Sequence, residues 1–151
     1  FQERLVKDEM RLIVGREHRW AKRARIEMAA LRKEPFISRE TGSGTHQTIN
    51  RTLSEKGLST EDLNVVAEMG NTVAVIQGIK SRVGVSILST IAVAEELQSG
   101  ILKSLEIEGM NFDRHLYLTC HRHRTPSPLN RAFTHFIKTA QDDAFRTILN
   151  P

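Results

Sequence analysis

Residues 64–89 read "NVVAEMGNTVAVIQGIKSRVGVSILS", and the prediction of the fold begins with these residues. The run "NVVAEMG" predicts a strand that ends at a glycine. Asn71 is a residue type that caps helices, so "TVAVIQGIKSRV" predicts a helix that begins directly after it. That helix is apolar on nearly every side, which predicts burial on several faces. Gly84 then opens "VSILS", a continuous apolar run typical of a strand covered on both faces.

The same alternation of strand and helix continues on both sides of this stretch. On the amino-terminal side, "FIS" predicts a strand, and Ile49, Thr52 and Leu53 share one helical face before a stop at Gly57. On the carboxyl-terminal side, "IAVAEELQS" predicts a short helix and "ILKSLEIEG" a further strand. Because strands alternate with helices over residues 36–105, the sequence predicts an α/β domain with a mostly parallel sheet.

The two ends of the chain add four more elements. Alternation of Met10, Leu12 and Val14 predicts a strand, and the basic segment 16–33 predicts a short helix with Ile26, Ala29 and Ala30 on one face. The run "FDRHLYLTCHR" predicts a strand near the other end. After "SP" at 127–128, a helix start, six apolar residues share one helical face: Leu129, Ala132, Phe133, Phe136, Ile137 and Ala140.

Composition limits the classes of protein that this chain can represent. It has 151 residues, 39% hydrophobic and 26% charged, as expected of a globular domain. No apolar stretch approaches the roughly 20 residues of a membrane span, and the first ten residues lack the apolar core of a signal peptide. Its single cysteine, Cys120, excludes an internal disulfide and fits a reducing compartment. These features predict a cytoplasmic protein.

Basic residues are unevenly distributed. The net charge is +4, and segment 16–33 contains seven Lys and Arg residues but only two Glu. Such a cluster can attract nucleic acid or an anionic ligand, and it can equally be an ordinary solvated surface. Composition leaves both interpretations open.

The loop "ETGSGTH" at residues 40–46 lies between a predicted strand and a predicted helix. It lacks the Lys of a P-loop, the third glycine of G-x-G-x-x-G and the spacing of G-x-S-x-G. A strand-to-helix turn nevertheless presents backbone N–H groups and the positive end of the helix dipole, which favour an anion. Ser43 and Thr45 add hydroxyl donors. Either residue can also act simply as the helix cap, and the two roles are compatible.

Other candidates for chemistry are weak. His115, His121 and His123 have the same parity on a predicted strand, but no carboxylate lies at ligand spacing. Cys120 is flanked by apolar residues and is most simply a small core residue. Because no nucleophile–base pair can be recognised, the sequence predicts no enzyme, no metal site and no cofactor.

Several segments, taken in their order along the chain, resemble a known protein family. "EPFISRETGSGTHQTINRTLSEKGL", the stretch at 64–89 and "RHLYLTCHRHRTPSPLNRAFTHFI" closely resemble the effector-binding domain of LysR-type transcriptional regulators. The resemblance implies a type 2 periplasmic-binding-protein-like fold, with two Rossmann-like α/β/α three-layer lobes joined by two crossing strands. An alternative with the same fold is a solute-binding protein of the transport type.

The resemblance also implies a division of the chain. Residues 1–11 are expected to form a crossing strand and hinge, and residues 12–108 the second lobe. Residues 109–140 are expected to form the return strand and helix of the first lobe, and residues 141–151 a tail. The helix-turn-helix that contacts DNA, and the opening half of the first lobe, are expected to lie outside these 151 residues.

Residue roles and partners follow from the same resemblance. In the family the effector lies between the lobes, so Ser43, Gly44, Thr45 and His46 are expected to line one wall of its site, with Asn71 a weaker candidate. The expected ligand is a small anion, a carboxylate or an oxyanion. Effector domains of the family pair side by side, which implies a homodimer or tetramer. DNA binding is expected only through the absent helix-turn-helix, and no membrane association is expected.

Overall fold

The structure is a computed structural model that describes residues 2–121 and 125–140. Its strands are β1 (Gln2–Asp8), β2 (Met10–Gly15), β3 (Arg25–Ile26), β4 (Phe36–Arg39), β5 (Val65–Met69), β6 (Ser86–Ser89), β7 (Leu102–Ile107) and β8 (Arg114–Thr119). Its helices are α1 (Met28–Leu31), α2 (Gly44–Ser54), α3 (Thr72–Lys80), α4 (Ala94–Gln98) and α5 (Pro128–Ala140), with 3₁₀ turns at Thr60–Asp62 and Ile91–Val93. The chain divides into two compact units, residues 9–114 and residues 1–8 together with 115–151.

The larger unit contains a mixed sheet. Four strands follow the order β3-β7-β2-β6, and β4 pairs with β5. Hydrogen bonds from Ile37 N to Val85 O and from Val85 N to Pro35 O, both 2.8 Å, connect β4 to the residues that lead into β6. β2 is antiparallel to β6 and β7, whereas the β3–β7 and β4–β5 pairs are parallel. The other strands therefore run together and only β2 runs against them, which confirms the predicted mostly parallel sheet.

Helices cover both faces of this sheet. Alternation along β2 sends Leu12 and Val14 into one hydrophobic cluster and Ile13 into the other. The first cluster includes Leu31 of α1 and Leu53 of α2. The second cluster includes α3 residues such as Val75, Ile76 and Ile79. The predicted three-layer α/β/α arrangement is therefore present in this unit.

Helix α3 differs from the sequence-based expectation in its burial. Val75, Ile76, Gly78 and Ile79 are buried, but Val73 is 67% exposed. The expectation of burial on several faces is wrong, because α3 lies on one outer layer and only its sheet-facing side is covered.

The basic segment 16–33 is not one helix. Turns occupy residues 16–23, β3 follows, and only Met28–Leu31 are helical. Ile26 pairs with Ile107 of β7 and is 2% exposed. Assigning Ile26 to a helical face was wrong, because a long-range strand pairing overrides the local helical pattern.

The smaller unit contains β1 paired with β8, and helix α5. The Ser127 hydroxyl caps α5 by accepting from Asn130 N at 3.1 Å, which confirms the predicted helix start. The predicted apolar face is solvent-exposed here, with Leu129 79%, Phe133 55% and Phe136 63% accessible. β8 is shorter than the predicted "FDRHLYLTCHR" strand. His123 and the expected tail at 141–151 lie outside the described residues.

Over the described part of the chain, no helix is both long and apolar enough to cross a bilayer.

Candidate functional site

The loop after β4 and the first turn of α2 form the candidate site. β4 ends at Arg39, and α2 begins at Gly44. Between them the chain turns through Gly42, whose φ of 101° lies in a region that favours glycine. Because β4 and β5 are parallel, the loop lies at the same sheet edge as the start of α3, which follows β5. This edge, beyond the carboxyl ends of parallel strands, is where open α/β sheets bind ligands.

Ser43 is the cap of α2. Its hydroxyl oxygen accepts from His46 N at 3.1 Å, and its carbonyl accepts from Gln47 N at 3.0 Å. These two bonds satisfy the third and fourth backbone donors of the helix. Gly44 and Thr45 supply the first two N–H groups, which have no partner within a helix of this geometry. They are the natural anion donors of this turn.

The side chains of Thr45 and His46 differ in their exposure to solvent. Thr45 is 7% exposed, so its side chain lies mainly on the buried side of α2. His46 is half-buried, and its charge acts on the neighbouring Glu40 carboxylate. Access to the Thr45 hydroxyl is therefore limited, whereas the backbone of Gly44 is exposed.

Arg39 and Glu40 form a rigid pair beside the loop. The Arg39 guanidinium donates to both Glu40 carboxylate oxygens, at 2.7 and 2.8 Å, and to the Thr72 hydroxyl at 2.7 Å. Hydrogen bonding from Arg39 holds the pKa of Glu40 below its usual range, and the same bond raises the pKa of Arg39. Arg39 thereby links the end of β4 to the start of α3 and offsets the acidic charge next to the loop.

Asn71 caps α3. Its side-chain oxygen accepts from Ala74 N at 2.8 Å, which confirms the predicted cap. Asn71 lies at the same sheet edge as the loop and is exposed. Its oxygen is engaged by the helix, and its amide N–H₂ is the part of the side chain able to donate to a ligand.

Arg114 is a site residue that the sequence did not predict. A Cβ atom placed on Gly44 would lie 3.2 Å from Nη1 of Arg114, so the guanidinium lies directly against the start of α2. The chain leading to it is anchored: Thr52 donates to Asn111 O at 3.3 Å, and Phe112 is 3% exposed. The preceding residue, Asp113, pairs with Arg11 at 3.6 Å. No local motif marks Arg114, because its position depends on tertiary packing.

The electrostatics of this edge favour an anion. A guanidinium at a helix amino terminus adds to the positive end of the helix dipole. Gly44 and Thr45 N–H groups, the Ser43 hydroxyl and Arg114 combine directional donors with positive charge. Over the described residues no cluster of His, Cys, Asp or Glu is arranged to hold a metal ion. The arrangement suits binding of an anion by hydrogen bonds.

Comparison with known proteins identifies the family. The model of the LysR substrate-binding domain matches residues 1–142. An uncharacterized HTH-type transcriptional regulator of Methanocaldococcus jannaschii is 34% identical over 132 residues, which cover 87% of this chain and 44% of that protein. The chain spans less than half the length of this relative and of another curated relative that it matches.

Solved structures agree in fold. The regulatory domain of Synechocystis CcmR, in complex with 2-PG, superposes with a TM-score of 0.83 at 24% identity, over 95% of this chain and 67% of that one. The effector-binding domain of QuiR, in complex with shikimate, has a TM-score of 0.77 at 22% identity, over 93% and 66% of the two chains. The α/β architecture, the family match and these neighbours agree. This chain belongs to the LysR substrate-binding domain family.

Proposed function

We propose that this chain is the part of a LysR-type transcriptional regulator that senses a small anionic effector, a carboxylate or an oxyanion. We choose an anion because the Arg114 guanidinium lies beside Gly44, at the positive end of α2. The described residues at this edge provide hydrogen-bond donors for such an anion.

The proposed roles follow from position. Gly44 and Thr45 donate backbone N–H groups, and Ser43 donates its hydroxyl while its oxygen remains the helix cap. The Thr45 hydroxyl and a protonated His46 are secondary donors, and Asn71 contributes at most its amide N–H₂. Arg114 supplies the fixed charge and orients the anion.

The proposed mechanism is a shift between two conformations. An effector that binds one arrangement of the regulator more tightly biases the protein toward it, by no more than the difference in its two affinities. DNA binding belongs to a helix-turn-helix outside residues 1–151, in the cytoplasm, and effector domains associate as homodimers or tetramers. The proposal includes the expected division of the chain into a hinge at 1–11, the second lobe at 12–108 and first-lobe residues at 109–140.

A thermal-shift and calorimetric screen of small anions tests it. The panel contains inorganic phosphate, sulfate, shikimate and 2-PG. For an anion that binds wild type, Arg114→Gln should weaken affinity roughly 10- to 100-fold, because a charge-assisted hydrogen bond contributes about 1.5–3 kcal/mol. Arg23→Gln, which removes the same charge from an exposed turn, is the matched control and should leave affinity unchanged.

Gly44→Ala gives a second, independent change at the same place. Its Cβ would displace the Arg114 guanidinium by a few tenths of an ångström, whereas alanine is well tolerated in a helix. Affinity should fall with no loss of thermal stability. An anion that binds wild type, Arg114→Gln and Gly44→Ala equally well would disprove the proposed site.

A further inference from the structure

A cavity lies at the edge of the same sheet opposite the loop at 40–46. It has a volume of about 700 Å³ and lies where β2 ends, at Gly15, and where the chain enters β4, β6 and β7. The loop at 40–46 lies beyond the carboxyl ends of the parallel strands, and this cavity lies at their amino ends. Its volume is within the range of small-molecule sites.

One wall of the cavity is aliphatic. It is formed by Pro35, Ile79, Val83 and Ile101. Val83 and Ile101 remain 41% and 40% exposed although both belong to the compact larger unit. This wall can cover the non-polar body of a ligand.

The other wall carries more positive than negative groups. Arg16, Arg19, Lys80 and Arg82 line it, against Glu17 and Glu34. The acceptors of Glu34 are occupied by His18 Nε2 at 2.8 Å and by Arg19, and Glu17 is contacted by Arg82 and, at 4.0 Å, by Arg16. A guanidinium has more N–H donors than these contacts use.

Arg82 has an unusual backbone for its residue type. Its φ of 62° is left-handed, and over the described residues it is the only non-glycine with a positive φ. Arg82 N donates to Ile79 O and Val83 N donates to Gly78 O, which is a Schellman turn at the end of α3. Glycine is the usual residue at this position. An arginine there places a guanidinium at the mouth of the cavity at the expense of backbone strain.

We propose that this cavity is a second ligand site, which takes a small organic anion with a carboxylate or phosphate head on a non-polar body. The head binds to N–H groups of the Arg16 and Arg82 guanidinium groups that do not face Glu17, and the body packs on Val83 and Ile101. The site is separate from the proposed effector loop and does not depend on it.

Amide-resolved NMR titration of the 151-residue chain with phenyl phosphate tests this site. Inorganic phosphate supplies the head alone, and phenol supplies the body alone. Saturable shifts are expected at the amides of Gly84 and Ile101, with affinity at least about tenfold weaker for each half-ligand. The amides of Gly44 and Thr45 report binding at the effector loop in the same spectra, so the two sites are read separately.

Two variants test the residues. Arg82→Gly suits the left-handed turn, and Arg16→Gln changes an exposed side chain, so both should stay folded. Each should weaken phenyl phosphate binding at Gly84 and Ile101 about tenfold, whereas Arg23→Gln should not. Absence of saturable shifts at Gly84 and Ile101, shifts confined to Gly44 and Thr45, or binding by both variants as tight as that of wild type would overturn the proposal.

Discussion

Substitution of Arg82 can measure how much a left-handed backbone conformation at a non-glycine residue lowers the free energy of unfolding. Arg82→Gly should raise the free energy of unfolding by up to about 1 kcal/mol, because glycine adopts this backbone without strain. The lost ion pair with Glu17 subtracts little, since both side chains are more than half exposed. Urea unfolding measures the difference.

Arg82→Ala is the matched control, because it removes the same side chain and keeps a Cβ. It should be less stable than Arg82→Gly. Equal stability of the two variants would mean that the turn carries no strain.

The lowered pKa of Glu34 predicts that the stability of the fold depends on pH. Burial alone would raise the pKa of its carboxyl, but hydrogen bonds from His18 and Arg19 lower it below the usual 4.5. A lowered pKa in the folded state stabilises the fold above the unfolded-state pKa, and this stabilisation is lost as the pH falls through the folded-state value. Glu34→Gln should therefore lower the Tm by about 2–4 °C at pH 7.

The difference in Tm between wild type and Glu34→Gln should narrow steadily as the pH falls below 4.5. Glu68→Gln, at an exposed position of β5, is the control and should give a small difference. A Glu34→Gln difference that is the same at pH 7 and pH 3 would contradict the assigned role of the carboxylate.

The stability of variants at Asn71 shows whether this residue acts mainly as the cap of α3 or has another role, such as ligand binding. Asn71→Ala should lower the free energy of unfolding by about 1 kcal/mol, because Ala74 N loses its cap. Asn71→Ser keeps a capping oxygen and should retain most of the stability. Circular dichroism during urea unfolding measures both variants. If Asn71→Ser unfolds as easily as Asn71→Ala, capping is not the main role of this residue.

Elements with local signals were predictable from the sequence. The alternation of β2, the Asn71 cap of α3 and the Ser127 start of α5 depend on residues close in sequence, and all three are present. Residues 16–33 were not predictable, because Ile26 is fixed by pairing with Ile107. The site divides in the same way: the loop was visible locally, whereas Arg114 reaches Gly44 only through tertiary packing.

The exposed apolar face of α5 leads to a prediction about self-association of the chain. Leu129, Phe133 and Phe136 expose apolar surface on one helix, a surface that water disfavours and a second chain can cover. We expect the 151-residue chain to associate, with a sedimentation coefficient that rises with concentration.

A double change, Phe133→Ser with Phe136→Ser, should shift the chain toward the monomer. Leu116→Ser, in exposed β8, removes one apolar side chain away from α5 and serves as control. A wild-type chain that stays monomeric at high concentration would refute self-association through α5.

The antiparallel direction of β2 determines where the chain enters and leaves the larger unit. The polypeptide enters the larger unit at Glu9, before β2, and leaves it at Arg114, after β7. Since β2 runs against its neighbours, both junctions lie at the sheet edge that carries the loop at 40–46, and the Arg11–Asp113 ion pair at 3.6 Å connects them. A unit with adjacent ends can be inserted into another chain or circularly permuted without tearing its core. Residues 9–114 are thus a unit whose two attachment points lie at the same sheet edge as the loop at 40–46, and the proposed effector would therefore bind next to both junctions.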